Sequence, residues 1–172
     1  DAYGRGRLIG DYRRVALFGV NALLADKSRD AEAMPVDTED DLRCKFEVTQ
    51  QIRALRALKD MAKAYGCDIG PPATSAREAI QWTYFGYLCA VKSHDGAAIS
   101  LGRVDAFFDI YIERDVTSGK ITESQAQELI DNFVLKLRMV RQLRPLAYEE
   151  IFAGDPQWST ACVAGCSLDG GG

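Results

Sequence analysis

Histidine is almost missing from this chain: His94 stands alone among 172 residues. It lies beside Asp95 ahead of Gly96 and reads as a loop residue, which leaves no imidazole for a serine-type triad or a multi-histidine metal site. Basic excess is missing too. Lysine and arginine number 21 against 25 acids, and the net charge of −4 argues against a general nucleic-acid role. No uninterrupted apolar run reaches the roughly 20 residues that a membrane-spanning helix needs. The first fourteen residues hold four arginines, but no apolar core follows them, so a signal peptide is not expected. The five cysteines are odd in number and fit no disulfide scaffold, which points to a reducing, cytoplasmic setting. Cys162 and Cys166 have no further cysteine pair in range for zinc or an iron–sulfur cluster and read as incidental thiols; no metal site is expected.

What is present is hydrophobic patterning. A chain with 47% hydrophobic and 27% charged residues is expected to fold as one globular domain. Asp11 reads as an N-cap ahead of a helix over 11–25, where Val15, Leu17, Phe18, Val20, Leu23 and Leu24 leave little polar surface. Residues 26–41, with Pro35, read as a polar connection. An amphipathic helix then starts at Leu42, with Phe46, Ile52, Leu55, Leu58, Ala62 and Tyr65 on one broad face and Gly66 placed at C′.

The densest stretch runs from Ser75 to Asp115. Ser75 and Glu78 have capping-box spacing, and the helix they open, over 76–92, is rich in Ile80, Trp82, Tyr84, Phe85, Tyr87 and Leu88, so burial on most sides is expected. Gly96 to Arg103 is a small-residue run suited to close backbone approach. Val104, Phe107, Phe108, Tyr111 and Ile112 form another helical pattern, with a turn over 115–120. Thr122 and Gln125 make a second capping box before Ala126, Leu129, Ile130, Phe133, Val134, Leu137 and Val140, whose acids precede their bases as the helix macrodipole favours. Pro145 is expected to close that helix. Strands are few, near Leu8–Ile9 and Ala97–Ser100, so the fold class is mostly α with one or two short strands.

Gly4, Gly6 and Gly10 lack the spacing and the preceding strand of a dinucleotide fingerprint. Arg5 and Arg7 beside them suit a carboxylate held bidentately, with glycines leaving room for a ligand; ion pairs with Asp1 or Asp11 are the alternative.

Several segments together resemble pyruvate formate-lyase, a glycyl radical enzyme: DAYGRGRLIGDYRR, AIQWTYFGYL, DGAAISLGR, FFDIYIERD, KITESQAQELIDNFVLKLRMVR and GDPQW. The likeness runs along essentially the whole chain and thins over Lys27–Val36 and beyond Trp158. It implies that residues 1–172 form a single segment, incomplete at both ends, of an α/β barrel of parallel strands wrapped by helices. It also implies formate C-acetyltransferase chemistry, pyruvate plus coenzyme A giving acetyl-CoA plus formate.

By the same resemblance Arg7 holds the pyruvate carboxylate, Tyr3 lines the pocket, Ala97 is the small residue at the substrate, and Phe152 and Trp158 shield the reacting centre. A dry aromatic wall suits radicals and acyl-thioesters, which water destroys. The family's adjacent cysteine pair is absent from these residues, and Gly170–Gly172 does not stand in the context of the family's radical glycine. No catalytic residue is therefore expected within the chain, which alone should be inactive and bind no cofactor. The parent enzyme would use a protein glycyl radical, coenzyme A as co-substrate, a radical-SAM activating enzyme and a homodimeric assembly. Two other readings stand beside this one: a related glycyl radical 2-keto-acid formate-lyase, or a non-catalytic helical interaction module.

Overall fold

Helix α1 (Arg13–Ala33) is broken in its middle by a crossing strand of backbone. The computed structural model describes residues 10–94, 98–141, 150 and 157–162. At Gly19 the backbone turns to φ 73° and ψ 157°, a region that is essentially glycine-only. The segment after α2 (Glu39–Ala64) passes through this break. Val20 N donates to Ile69 O at 2.8 Å, Asn21 N to Gly70 O at 3.0 Å, and Ala73 N to Ala16 O at 2.8 Å. The crossing thereby satisfies backbone groups that the interruption would otherwise orphan. A Cβ on Gly19 would lie 2.3 Å from Gly70 O.

Helix α1 is longer than the 11–25 expected, extending through residues assigned to a polar connection. Its aspartates and basic residues pair along the helix, Lys27 with Asp30 at 3.1 Å and Arg29 with Asp26. Asp11 does not cap it: its carboxylate is taken by Arg13 Nε at 2.7 Å, and Tyr12 occupies the N-cap without a side-chain bond. Nor is α1 internal all round, because Leu17 and Phe18 are exposed.

Helix α2 starts three residues before Leu42, after Thr38, whose hydroxyl accepts from Asp41 N at 3.1 Å while Asp41 accepts from Thr38 N at 3.0 Å. Its other end has Gly66 at φ 74°, with Gly66 N bonded to Lys63 O and Cys67 N to Ala62 O, the paired bonds of a left-handed C-terminal cap. Only part of the helix meets the core: Val48, Leu58 and Ala62 are buried, whereas Leu42 and Phe46 are 56% and 62% exposed and Tyr65 also faces outward.

Helix α3 (Ala76–His94) is the centre of the molecule and packs against α1, α2, α4 (Val104–Thr117) and α5 (Glu123–Met139). The burial expected of it is found at Ile80, Trp82, Phe85 and Tyr87. Its N-terminus is tied differently from the expected box. Ser75 Oγ accepts from Glu78 N at 3.2 Å, but the Glu78 carboxylate bonds Thr74 N and Thr74 Oγ1, each at 2.7 Å. Ala76 N instead donates to Asp115 Oδ2 at 2.7 Å, so a carboxylate from α4 caps α3. His94 is the last residue of α3 rather than a loop residue.

Edge-to-face rings carry the core from α3 to the later helices: Tyr84 and Phe108 each meet Phe133, at centroid distances of 6.4 and 5.1 Å. Helix α4 runs three residues into the expected turn, to Thr117. Thr122 and Gln125 make both bonds of the expected box at the start of α5. Helix α5 stops at Met139, well before Pro145, which lies outside the described residues; Val134 of its expected apolar set is exposed.

Strand β1 (Ala98–Gly102) pairs in parallel with β2 (Trp158–Ala161). Among the described residues the fold is thus mostly helical with two short parallel strands, matching the expected class, although β2 was not foreseen and Leu8–Ile9 lies outside the described residues. Gly102 has φ 68° and swings the chain from β1 directly into α4.

Candidate functional site

The strand pair brings together two segments singled out by resemblance, the small-residue run at Ala98 and the tryptophan at 158. Their register is Ala98 to Trp158, Ile99 to Ser159 and Ser100 to Thr160, with a shift before Gly102 and Ala161. Side chains alternate across a strand, and paired residues share a face. Ile99 is buried, so the Ile99–Ser159 face looks toward the helices, and the opposite face carries Ala98, Ser100, Trp158 and Thr160. Trp158 is 44% exposed there. Parallel sheets are normally covered on both faces; here one face is packed and the other presents two small residues beside an indole.

The packed face is clasped from α3. Tyr87, 0% exposed, shares a 2.5 Å hydrogen bond with Ser159 Oγ, and its ring meets Tyr12 edge-on at 6.0 Å and stacks near Tyr84 at 6.1 Å. Burial pushes the Tyr87 phenol up from its ordinary range, with the Ser159 bond pulling the other way, so it stays a neutral hydroxyl. Two backbone bonds frame β2: Gln157 N to Val140 O at 2.7 Å and Cys162 N to Gly102 O at 3.1 Å.

Among the predicted site residues, the structure describes Trp158, on the face of β2 turned away from the helices. Tyr3, Arg7, Ala97 and Phe152 lie outside the described residues. Asp11, one of the acids that could have paired with Arg5 or Arg7, is engaged by Arg13, which holds its carboxyl below the usual range. Tyr87 and Ser159 were not singled out from the sequence. Tyr87 sits among aromatics in an apolar helix and reads as packing, and a serine next to a tryptophan carries no signal of its own.

An open groove of about 1030 Å³ lies between the end of α2, α3 and α5 and includes Tyr65, Trp82, Tyr84, Phe133, Lys136 and Met139. Lys136 Nζ donates to Gln81 Oε1 at 2.6 Å and sits 5.7 Å over the Tyr84 ring. No residue of β1 or β2 lines this groove. Among the described residues no group of three or more histidine, cysteine or acidic side chains is placed to hold a metal ion. Burial pushes the Cys89 thiol up, the opposite of an activated nucleophile. No helix of the described residues is long and apolar enough to cross a membrane.

A helical core clasping a parallel strand pair is the architecture, and comparison with known proteins identifies it. A family model described as pyruvate formate lyase-like matches residues 1–171; the chain belongs to that family. It is 55% identical over 176 residues to formate acetyltransferase 1 of Escherichia coli, covering 99% of this chain and 23% of that one. It is 56% identical, with the same coverage, to formate acetyltransferase of Haemophilus influenzae. The chain therefore spans about a quarter of the length of these relatives. A solved structure concerned with 1,2-propanediol dehydration in Roseburia inulinivorans superposes with a TM-score of 0.71 over 97% of this chain and 23% of that one, at 23% identity. That likeness concerns the fold.

Proposed function

We propose that these 172 residues act as one segment, incomplete at both ends, of a formate C-acetyltransferase that converts pyruvate and coenzyme A to acetyl-CoA and formate. The observation that carries this reading is the 55% identity along 99% of the chain to a relative of which it covers 23%. The strand pair supports it, since Trp158 and the small residues at the start of β1 are neighbours in space.

The segment supplies one wall of the substrate cavity. Arg7 orients the substrate carboxylate through its planar fork, Tyr3 lines the pocket, and Ala97, Phe152 and Trp158 shape it and keep water out. The thiyl-forming cysteine pair, the radical glycine and most coenzyme A contacts belong to polypeptide beyond these residues. The working enzyme is a cytoplasmic homodimer of anaerobic glucose metabolism, charged by a radical-SAM activating enzyme.

The test is a chimera in which this chain replaces the corresponding quarter of the Escherichia coli enzyme, assayed for acetyl-CoA formation after anaerobic activation. Turnover is expected, and Arg7→Lys should lower kcat/KM for pyruvate by about tenfold or more, because lysine keeps the charge and loses the bidentate bonds. A well-folded chimera without turnover would contradict the assignment. An Arg7→Lys variant of unchanged kcat/KM would place Arg7 in a structural ion pair.

A further inference from the structure

We infer that Tyr87 is a positioning residue for the substrate wall, setting through Ser159 the face on which Trp158 stands; this rests on the function proposed above. Strand β2 has only four residues, and apart from half-buried Ser159 its side chains are exposed. A strand so short has weakly specified register, and a slip of one residue would exchange its two faces, turning Trp158 inward and Ser159 outward. The β1 ladder alone does little to forbid that slip, since backbone bonds re-form in either register.

The Tyr87–Ser159 bond does forbid it. The two residues are 72 apart in sequence, and the tyrosine belongs to the central helix, where its ring is fixed by Tyr12 and Tyr84. Its hydroxyl is therefore a rigid reference point set in the core. Only when residue 159 faces α3 is that buried hydroxyl satisfied, and leaving it unsatisfied carries a desolvation penalty. With Ser159 turned inward, alternation turns Trp158 to the face it shares with Ala98 and Ser100. A buried tyrosine thus selects which side of the strand the indole occupies without touching the substrate itself.

The experiment uses the activated chimera and its unactivated form. Tyr87→Phe and Ser159→Ala each remove the bond, the second from a half-buried strand position where folding is little disturbed. Ser159→Thr keeps the hydroxyl. Both deletions should raise KM for pyruvate roughly three- to tenfold while KM for coenzyme A stays within about twofold. Pyruvate affinity of the unactivated protein, read by calorimetry, should weaken in parallel, and Ser159→Thr should restore both. The double variant should be no worse than either single one, because the two residues act as a pair.

Unchanged pyruvate parameters in both deletions would overturn the inference while leaving the proposed function intact. Equal losses for pyruvate and coenzyme A would overturn it as well, showing a general structural role. A wild-type chimera with no turnover and no pyruvate binding would sink both readings together.

Discussion

Two places where distant segments of this chain meet are built in opposite ways. At Gly19 the contact is backbone on backbone: three hydrogen bonds join α1 to the 69–73 segment, and no side chain fits between them. At the strand pair the contact is a ladder a few residues long, a bulge and one side-chain clasp, with an indole left half in solvent. The first junction is closed on itself and needs nothing further. The second has one face toward the helices, another on which Trp158 is 44% exposed, and a shifted register. The first junction is thus fixed by backbone geometry, and the second leans on one side-chain bond.

The largest effect should come from filling the first junction. Gly19→Ala combines a forbidden φ/ψ with a Cβ at 2.3 Å from a carbonyl oxygen that is itself hydrogen-bonded. The expected loss is at least about 4 kcal/mol, or failure to fold, read from chemical denaturation followed by far-UV dichroism. A variant within about 1 kcal/mol of wild type would show that the crossing is loosely held.

Asp115 comes next. Its side chain is 2% exposed and caps α3 while meeting Arg114 at 3.1 Å and Lys120 at 3.9 Å. Burial, the largest single influence, pushes its carboxyl up, but the Ala76 N–H bond and the two cations together outweigh it and hold the group below 3.8. A depressed carboxylate contributes stability that is present above its unfolded value near 4 and is lost as pH falls through the folded one. Asp115→Ala should cost roughly 2–3 kcal/mol near neutral pH, and Asp115→Asn should flatten the fall in stability as pH drops below about 4. An undiminished acid transition in Asp115→Asn would assign it to other carboxylates.

The smallest effect sharpens the first. Gly66 shares the positive φ of Gly19, at 74°, but a Cβ there meets nothing within 4 Å. Gly66→Ala should cost only about 1 kcal/mol, the left-handed strain alone. A loss as large as that of Gly19→Ala would mean that strain, and not the crossing, dominates at both sites.

These contrasts also mark what was legible in the sequence. Local chemistry was readable: the Thr122 box, Gly66 as a C-terminal stop and the buried aromatic helix are all decided by residues within a turn or two of each other. The break at Gly19 was not, because its cause is the 69–73 segment some fifty residues away; GVNALL reads as continuous helix until that partner is known. Strand β2 was missed for the same reason, as Trp158–Ala161 becomes a strand by pairing with β1. The Ser75–Glu78 spacing predicted a reciprocal cap, but the Asp115 carboxylate arrives from α4 to take Ala76 N. Of the site residues expected through family resemblance, Trp158 is the one described, in β2 beside Ala98, while the tyrosine that holds its strand carried no mark in the sequence.

The comparison between the two junctions is tested most directly by amide hydrogen exchange on the isolated chain and on the full-length chimera. Local opening follows how completely a segment is packed. Val20, Asn21 and Ala73 are therefore expected to exchange slowly in both. Amides of 98–102 and 158–161 should exchange fast in the isolated chain and become at least about a hundredfold slower in the chimera, where the open face is covered. Strand amides as protected in the isolated chain as those at the Gly19 crossing would contradict the account and make the strand pair as self-sufficient as the helices.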